Sequence, residues 1–562
     1  MKYFKNCENL ADLYESISKR YSGTFLYDLR TNEVINYDQF RDYAYRLAQY
    51  FKDSGIAKGD KVSIFMENSP WWLISDYALH LIGAVNVART SEDLSELEFI
   101  LKHSDSKLLI HDKKHELKAD IPKLLKEDLV FIAKSYKPLE KREKTSLDDV
   151  ATIVYTSGTT SNPKGVMLTH ENILYDAQAY MDEAKKYFSI DQNDAIISIL
   201  PEWHMYQRII EYGAISEGVK IYYDSLKNFK KNSLFMKEIT IIPGVPALWM
   251  NVKKEIERKI HESKILGKIY DTLYEKSKNY HVKKALGQES TFVEKIASSM
   301  FEFIFAKKIR EKLGNKKFLI SGGSYLSRDV EDFFLTIGIP LVNGYGLTET
   351  SPVVCVKFSE RDLYSLGKPL KGIEVRLNDE GVLEVKGPIV MKGYYKNEEA
   401  TKEVLSDGWF STGDRFEIRN GNLFFYDRRK DIIVLPSGEK VSPQKLETII
   451  EQYPNVKFAF VFGGKDMGLK DQIAALLVID ESVKDKNKFV NEIKEYLRQK
   501  DLNPYERVNT FFVTYDNFSV GKELTSTLKK KRQTIYEKVR HLLNSGSLGE
   551  IISLKDTGNI GI

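Results

Sequence analysis

Hydrophobic and polar positions alternate between two periods in the N-terminal part of the chain. From Tyr37, the segment YDQFRDYAYRLAQYFKDSGI repeats apolar side chains at spacings of three and four residues and closes at Gly55, which predicts an amphipathic helix. The short apolar runs KVSIFMEN and KLLIHD predict strands, and SPWWLISDYALHLIGAVNVA between them predicts a second, apolar helix. This alternation predicts an α/β fold with a largely parallel sheet.

Residues 253–317 have a different pattern, with long helical stretches that are rich in Lys and Glu and contain several phenylalanines. This composition is typical of a solvated helical layer. It also fits a surface that contacts a membrane or a lipid substrate, because cationic amphipathic helices bind anionic bilayers. The sequence leaves both interpretations open.

The C-terminal third predicts two further units. After Gly367 the chain changes to short strands and turns, and Asn420-Gly421 between two alternating runs predicts a β-hairpin. Beyond Asp431, helices and strands mix again over about 130 residues, enough for a small α+β unit. We therefore predict an N-terminal domain at residues 1–427, a β-rich subdomain within it at about 368–427, a hinge at 428–431 and a C-terminal domain at 432–562.

Composition narrows the class of protein. The 562 residues are 42% hydrophobic and carry 84 Lys and Arg against 80 Asp and Glu, a formal net charge of +4. This balance excludes a mostly disordered, collagenous or coiled-coil chain and implies no nucleic acid partner. The two cysteines, Cys7 and Cys355, suggest neither a disulfide framework nor a metal motif, and no apolar stretch reaches the roughly 20 residues of a membrane span. We expect a cytoplasmic protein, with peripheral contact at the inner face of the membrane and homodimer formation left open.

The segment IVYTSGTTSNPKGVMLTH, from Ile153 to His170, predicts a phosphate-binding loop. An apolar strand leads into hydroxyl residues around a glycine, and Pro-Lys-Gly closes the loop before a helix begins. Small residues let backbone N–H groups approach an anion closely, hydroxyls donate further hydrogen bonds, and the lysine adds charge. The candidate triphosphate-binding residues are Thr156, Ser157, Gly158, Thr159, Thr160 and Lys164.

This loop differs from the common nucleotide loop GxxxxGK[ST]. Pro163 stands five residues after Gly158, and no Ser or Thr follows Lys164. A kinase or GTPase interpretation therefore loses its main support. An ordinary surface turn rich in Ser and Thr is the alternative, but the combination of strand, glycine, hydroxyls and lysine favours phosphate binding.

With this loop, the sequence resembles the adenylate-forming superfamily, which includes acyl-CoA synthetases, luciferases and the adenylation domains of peptide synthetases. Four further segments are similar to its motifs in the expected order: SGGS from Ser321, NGYGLTETSP from Asn343, STGD from Ser411, and YDRRKDIIVLPSGEKVSPQKLE from Tyr426. LPEWHMYQRIIEY, IIPGVPALW and KIREKLGNKKFLISGG are most similar to long-chain fatty acyl-CoA synthetases. The resemblance covers about residues 8–540.

The resemblance implies a large adenylation domain, built from α/β sheets and a β-rich subdomain, and a small mobile α+β C-terminal domain. It also implies ATP, CoA and a fatty acid as substrates, with Mg²⁺ as cofactor. Besides the loop above, the residues that would bind ATP or AMP are Gly322, Gly323, Ser324, Asn343, Gly344, Tyr345, Gly346, Thr348, Asp414 and Arg428.

The same resemblance implies individual roles around the phosphates. Tyr345 would stack on adenine, and Thr348 would donate to the α-phosphate. Glu349, together with Thr156, would hold Mg²⁺, a cation that prefers oxygen ligands.

Other roles concern the ribose and the acid. Asp414 would accept from the ribose hydroxyls, with Arg428 at the same end of the nucleotide. His204 stands where the family carries a histidine near the acyl carboxylate, and we expect it to orient that carboxylate or to gate the acyl tunnel. A general base is not needed, because a carboxylate is already deprotonated near neutral pH. A buried structural histidine is the alternative.

The catalytic lysine has two candidates. Many relatives place it in a Gly-Lys pair near the C-terminus, which matches Lys522. ELTSTLKKKR instead resembles the LTPTxK pattern of the long-chain branch, with Ser526 in place of proline, and this puts the lysine at Lys529. We prefer Lys529, which would bridge carboxylate and phosphate oxygens.

Two more positions belong to the mobile part of the resemblance. Lys430 occupies the hinge about which the C-terminal domain would rotate between the two half-reactions. Gly438 would present its backbone to the incoming CoA arm, and a simple turn is an equal alternative.

The implied function is ATP-dependent activation of a long-chain fatty acid to acyl-AMP, followed by transfer to CoA. An acyl-acyl-carrier-protein synthetase would share every nucleotide motif. A non-catalytic lipid-binding protein on the same fold is less consistent with the sequence, because Lys164, Glu349 and a C-terminal lysine are all present.

Overall fold

The computed structural model describes residues 7–88, 94–112, 120–156, 163–229, 231–314, 316–428, 431–436, 438–464, 473–500, 502–519, 522–525 and 529–544. Helices and strands alternate through most of this chain. Up to residue 156 they are α1 (Leu10–Arg20), β1 (Thr24–Asp28), β2 (Glu33–Asn36), α2 (Tyr37–Asp53), β3 (Lys61–Phe65), α3 (Pro70–Leu81), β4 (Val85–Ala88), α4 (Leu94–His103), β5 (Ser106–His111), β6 (Lys123–Leu125), α5 (Lys126–Ser135) and β7 (Val150–Thr156).

The middle of the chain adds a long helical stretch between strands. Its elements are β8 (Lys164–Thr169), α6 (His170–Ala184), β9 (Ala195–Ser198), α7 (Met205–Ser216), β10 (Lys220–Tyr223), α8 (Leu226–Phe229), β11 (Ile241–Gly244), α9 (Pro246–His261), α10 (Lys264–Ala285), α11 (Phe292–Phe301), α12 (Lys307–Leu313), β12 (Phe318–Ser321), α13 (Arg328–Thr336) and β13 (Leu341–Gly346). A π-helical segment, Glu302–Ala306, joins α11 to α12.

The C-terminal part has many short strands. Its elements are β14 (Val353–Lys357), β15 (Lys368–Pro369), β16 (Glu374–Leu377), β17 (Val382–Lys386), β18 (Gly393–Tyr394), α14 (Glu398–Val404), β19 (Leu405–Ser406), β20 (Trp409–Arg419), β21 (Asn422–Arg428), β22 (Ile433–Val434), β23 (Lys440–Val441), α15 (Pro443–Glu451), β24 (Val456–Gly463), β25 (Ile473–Ile479), α16 (Lys486–Arg498), β26 (Thr510–Thr514) and α17 (Arg532–Asn544).

Two large mixed sheets form the first part of the fold. Over the described residues, one has the strand order β15-β14-β13-β12-β11-β9-β10-β1-β2 and the other has the order β18-β8-β7-β4-β3-β5-β6. From β13 to β1, adjacent strands of the first sheet are parallel, and β14 and β2 pair antiparallel at either side. The predicted α/β class is confirmed.

One predicted helix was wrong over its last residues. Helix α3 ends at Leu81, and the Val-Asn-Val-Ala run that follows forms β4, which pairs in parallel with β3 and β7. Gly83 has φ +68°, a left-handed conformation that ends helices readily, and β-branched residues at 85 and 87 favour a strand. Strand β8, directly after the phosphate loop, was not predicted either.

Helix boundaries are set by local hydrogen bonds. At the start of α2, Asn36 Oδ1 accepts the backbone N–H of Gln39 at 2.8 Å, and Gln39 Oε1 accepts that of Asn36 at 3.0 Å. The side chains of Thr169 and Asn172 make the same reciprocal pair at the start of α6. Because Thr169 also ends β8, this cap fixes where the strand after the phosphate loop gives way to helix.

One large core lies between the nine-stranded sheet and helices α9 to α13. Its side chains include Trp249, Tyr270, Phe301, Phe333 and Phe334, all buried. Aromatic contacts link α10 to the segment after it, with Tyr270 and Phe301 ring centroids 5.7 Å apart. None of the helices within the described ranges is long and apolar enough to cross a membrane.

The chain divides into two compact units. The first comprises residues 1–378, 383–412 and 418–424, and the second comprises 379–382, 413–417 and 425–562. A five-stranded sheet contains β16, β17, β19, β20 and β21. The predicted hairpin turn is confirmed between β20 and β21.

The second unit has a core of its own. Strand β25 pairs antiparallel with β24 and parallel with β26, and α15, α16 and α17 belong to the same unit. Leu446, Ile450, Val490 and Phe511 are among its buried side chains. This is the α+β character that the sequence predicts for the C-terminal part.

Candidate active site

Two predicted segments meet at the carboxyl edge of the nine-stranded sheet. Ser321, the last residue of β12, lies beside Asn343 of β13 in parallel register. Within the described residues, the buried Ser321 Oγ and Asn343 Oδ1 have no hydrogen-bond partner. Open α/β sheets bind ligands at the carboxyl ends of their strands, so two unpartnered polar atoms there indicate a binding position.

The glycines of these segments permit close packing. A Cβ at Gly322 would lie 3.1 Å from the ring of Tyr206, and Gly323 has φ +80°. A Cβ at Gly346 would lie only 1.5 Å from the carbonyl oxygen of Pro352, and one at Gly344 would lie 3.2 Å from a backbone oxygen. The path of the chain through this edge therefore depends on glycine, most strictly at Gly346.

Tyr345 and Ser324 occupy opposite situations at the same edge. Tyr345 is half-buried on β13, paired with a residue of β14, whereas Ser324 is exposed in the loop that follows β12. Both residues lie close to the carboxyl end of their strand, Tyr345 just before the end of β13 and Ser324 just after the end of β12.

A 3-10 turn, Thr348–Thr350, carries the predicted metal ligand. The backbone oxygen of Glu349 accepts the N–H of Met391 at 2.9 Å, and the Ser351 hydroxyl donates to the carbonyl of Ile389 at 2.8 Å. The side chains of Thr348 and Glu349 are half-buried. The turn is therefore fixed on the loop that precedes β18.

Glu349 and Lys164 are brought together by Tyr394. The Tyr394 hydroxyl donates to Glu349 Oε1 at 2.9 Å, and Lys164 Nζ lies 5.0 Å from the centroid of the Tyr394 ring. Strands β8 and β18 pair here, and Thr156 pairs with Lys164 across β7 and β8. Burial, with the Glu349 carboxylate adding to it, raises the pKa of Tyr394, so its hydroxyl remains a donor.

His204 immediately precedes helix α7 and is half-buried. Its ring centroid lies 6.4 Å from that of Trp203. In the next turn the Tyr206 hydroxyl donates to the carbonyl of Gly244 at 3.0 Å, and the same ring packs over Gly322. The His204 segment is thus joined to the Ser321–Gly322 edge through Tyr206.

Two buried carboxyl groups occur in this segment. The backbone N–H of Ser69 donates to Glu202 at 3.2 Å, and Gln207 donates to Glu211 at 2.8 Å. Burial raises the pKa of Glu211 to about 6, and burial together with the neighbouring Glu211 carboxyl raises the pKa of Glu202 still more. Both carboxyl groups therefore lose their protons at a higher pH than exposed carboxyl groups do.

In the second unit, Asp414 and Arg428 form an ion pair. Arg428 Nε lies 3.3 Å from Asp414 Oδ1, with Asp414 buried and Arg428 half-exposed. Asp414 lies in β20 and Arg428 ends β21, so the neighbouring strands bring the two predicted ribose-binding residues together.

The C-terminal lysines differ in environment. Lys529 is exposed at the closed end of a turn, where its backbone N–H donates to Thr525 Oγ1 at 3.0 Å and its carbonyl accepts the Thr525 N–H at 2.8 Å. Lys530 is instead tied to two carboxylates, Glu447 at 2.9 Å and Glu451 at 2.7 Å. The next lysine of the run is therefore committed to the fold, while Lys522 is exposed.

Gly438 is the turn residue between β22 and β23. It has φ +95°, and its N–H donates to the carbonyl of Leu435 at 2.9 Å. Gly438 therefore has the turn role, which is one of the two roles that the sequence left open. Lys430, Ser157, Gly158, Thr159 and Thr160 lie outside the described residues.

Sequence reasoning missed two tyrosines. Tyr394 contacts both Lys164 and Glu349, and Tyr206 contacts Gly322. In the sequence, each tyrosine is visible only as a residue near a motif. Its contacts depend on strand pairing between distant parts of the chain.

Comparison with known proteins identifies the family. A family model described as AMP-binding enzyme matches residues 14–395, and one described as AMP-binding enzyme C-terminal domain matches residues 430–536. The chain belongs to the AMP-binding enzymes. Its Lys164–Tyr394–Glu349 contacts and its carboxyl-edge glycines all lie in or beside the first matched region.

Curated AMP-binding relatives include ligases of long-chain acids. A long-chain-fatty-acid–[acyl-carrier-protein] ligase of Arabidopsis thaliana is 32% identical over 501 residues, covering 74% of this chain and 68% of the relative. A long-chain-fatty-acid–CoA ligase of Mycobacterium tuberculosis is 28% identical over 535 residues, covering 86% and 87%.

Solved structures of AMP-binding enzymes share the fold. An o-succinylbenzoate CoA synthetase of Bacillus subtilis with its acyl-adenylate intermediate gives a TM-score of 0.72 at 20% identity, covering 93% of this chain and 97% of that one. A fatty acyl CoA synthetase of Mycobacterium tuberculosis gives 0.64 at 23% identity, covering 95% and 99%.

Proposed function

We propose that this AMP-binding enzyme joins a long-chain fatty acid to CoA in two half-reactions. In the first, a carboxylate oxygen attacks the α-phosphorus of ATP, forming acyl-AMP as pyrophosphate leaves. In the second, the CoA sulfur attacks the acyl carbonyl, forming the thioester as AMP leaves. The observation that carries the proposal is the contact chain Lys164–Tyr394–Glu349, which brings a cation and a carboxylate onto one tyrosine.

Charge neutralisation is the main task of these residues, because a carboxylate and a triphosphate repel each other. Lys164 would supply positive charge, and the loop that follows Thr156 would supply hydroxyl and backbone donors. Ser321, Asn343 and Tyr345 would receive the adenine, and Asp414 with Arg428 the ribose.

Magnesium fits the donors that the chain provides. Glu349 and Thr156 are oxygen donors, and Mg²⁺ is commonly held by one or two carboxylates together with substrate phosphate oxygens. When bound, it would neutralise charge on the triphosphate. Tyr394 fixes the position of one Glu349 oxygen and so prepares the carboxylate to hold the ion.

The names of the relatives support a long-chain fatty acid as the substrate. Two relatives are named as ligases of long-chain fatty acids. His204 would orient the carboxylate, since its segment also carries Tyr206 against Gly322. Lys529 would contact the carboxylate and phosphate oxygens as charge shifts between them.

The domain boundaries remain part of this proposal. Residues 432–562 would rotate about 428–431, with Lys430 absorbing the backbone change, so that Lys529 serves the first half-reaction and withdraws for the second. Gly438 would then present its turn to the CoA arm.

A second candidate acceptor is an acyl carrier protein. The Arabidopsis relative at 32% identity is named for that acceptor. Both acceptors deliver a thiol, so every residue assigned above would serve either reaction.

A panel of carboxylic acids from acetate to long-chain acids tests the proposal, scored by thioester formation with CoA and with a carrier protein. We expect long-chain acids with CoA to give the highest rate. Thioester formed only with the carrier protein would reassign the acceptor, and no fatty-acid-dependent exchange between ATP and pyrophosphate would refute the proposal.

Paired lysine variants test the assignment of the catalytic lysine. Lys529→Ala should abolish most fatty-acid-dependent ATP–pyrophosphate exchange, while Lys522→Ala, a matched exposed lysine, should not. The reverse outcome would transfer the role to Lys522.

A further inference from the structure

Helices α10 and α11 form an antiparallel hairpin with an apolar outer face. Lys283 on α10 pairs with Glu294 on α11 at 2.7 Å, which sets the antiparallel register. The most exposed side chains are Phe303 (80%), Phe292 (77%) and Ile265 (74%). We call the exposed apolar set the hairpin ridge; its members are Ile265, Leu266, Ile269, Phe292, Val293, Ile296, Met300 and Phe303.

Part of the ridge is a stripe along α11 and the π-helical segment that follows it. Phe292, Ile296, Met300 and Phe303 follow at intervals of four, four and three residues, which places them on one side of the helix. The opposite side of the hairpin, including Phe301, already packs in the core. A helix packed on a core would ordinarily be polar on its outer side, and a row of exposed large apolar side chains along one side marks an interaction surface.

Charge around the ridge is strongly positive. Residues 264–308 contain nine Lys against five Asp and Glu, a net charge of +4 that equals the charge of all 562 residues. Asp271, Glu275, Glu294 and Glu302 each have an ion-pair partner within the chain. By contrast, over the described parts of the chain seven lysines have no carboxylate within ion-pair distance: Lys264, Lys268, Lys276, Lys284, Lys295, Lys307 and Lys308.

We propose that the hairpin ridge docks on an anionic lipid bilayer. The phenylalanine rings would enter the boundary between headgroups and acyl chains, and the unpaired lysines would meet lipid phosphates. The inference goes beyond the proposed function, because it concerns where the enzyme meets its surroundings and not which acid it activates. Docking would place the enzyme at the bilayer, into which long-chain acids partition.

A second copy of the chain fits this surface poorly. A two-fold contact would set the same patch against itself, and therefore lysines against lysines. An anionic bilayer offers opposite charge and an apolar interior to the same side chains. Charge complementarity thus selects the lipid surface.

Vesicle sedimentation of the full chain tests the proposal. Vesicles of phosphatidylcholine with about one third phosphatidylglycerol should pellet the protein, high salt should weaken binding, and phosphatidylcholine alone should bind it less. Phe292→Ser with Phe303→Ser should weaken binding at least about tenfold, since each ring loses transfer energy from water. Lys307→Gln with Lys308→Gln should weaken it by about tenfold or more on anionic vesicles.

A matched control comes from helix α5. Phe131, 72% exposed, and the exposed Lys134 lie outside the hairpin, so Phe131→Ser with Lys134→Gln should leave vesicle binding unchanged. All variants should retain wild-type melting and wild-type ATP–pyrophosphate exchange with a detergent-dispersed acid. That readout separates failure of docking from failure of the proposed function.

Three outcomes would overturn the inference. The first is that the wild-type chain does not bind anionic vesicles, and the second is that both hairpin variants bind them as well as the wild type does. The third is that ultracentrifugation shows a dimer that Phe292→Ser with Phe303→Ser dissociates, while vesicles bind neither the dimer nor the monomer. The last result would assign the ridge to self-association.

Discussion

Replacing Gly346 by alanine should disable the site through the backbone. The added Cβ would lie 1.5 Å from the Pro352 carbonyl oxygen, whereas Cβ contacts below 3.0 Å are essentially never seen, so the two segments must separate by about 1.5 Å. Overpacking of this kind typically costs about 1–3 kcal/mol of stability. A displacement of about 1 Å at a reacting centre costs on the order of 100-fold in rate, so we expect at least that loss.

The assay is ATP–pyrophosphate exchange, normalised to folded protein, together with thermal unfolding. Gly213→Ala is the matched control, because its Cβ would lie 1.9 Å from the Tyr180 hydroxyl, also a severe overlap, but two turns along α7 from His204. Both variants should melt earlier, and only Gly346→Ala should lose exchange per folded molecule. Equal exchange in the two variants would refute the reasoning.

Three other measurements test separate parts of the account. Tyr394→Phe should raise the KM for magnesium-ATP by about tenfold, because the charged Glu349 carboxylate loses a hydrogen bond. The Tyr395 hydroxyl donates to an exposed carboxylate instead, so Tyr395→Phe should leave this KM unchanged. Equal effects of the two variants would contradict the prediction. Burial lowers the pKa of His170 from 6.5 to about 3, so on acidification the unfolded chain binds a proton before the folded chain does. The contribution of this histidine to the free energy of unfolding is therefore fully present above pH 6.5 and falls below that pH by up to about 1.4 kcal/mol per pH unit. Urea unfolding that does not change between about pH 7 and pH 5 would contradict this prediction. Lys430→Pro should spare adenylation more than thioester formation, and equal loss of both would argue against a hinge.

Local patterns were sufficient for much of the fold and the site. The segments from Ser321 and Asn343 were predicted as ligand loops, and they lie side by side because parallel strands end at one edge of a sheet. The hairpin at Asn420-Gly421 follows from residues that accept positive φ, 52° and 81° here.

Contacts set by tertiary pairing were not available to the same reasoning. Tyr394 lies in β18, which pairs with β8, and nothing local in the sequence indicates a pairing of Gly393 with Met167, 226 residues away. Strand β4 was read as helix because a buried parallel strand and a buried helix are both continuous apolar runs. The hairpin ridge was visible as phenylalanines, but its exposure depends on which face the core occupies.

The parallel pairing of β1 with β10 has a consequence for synthesis. Leu26 lies beside Ile221, so β1 is synthesised 195 residues before its parallel neighbour. At about 5–20 residues per second, that interval lasts roughly 10–40 s. During that interval one edge of β1 has no partner strand, and an exposed strand edge can pair with other chains. We therefore expect chaperones to bind this unpaired edge while the chain is being translated.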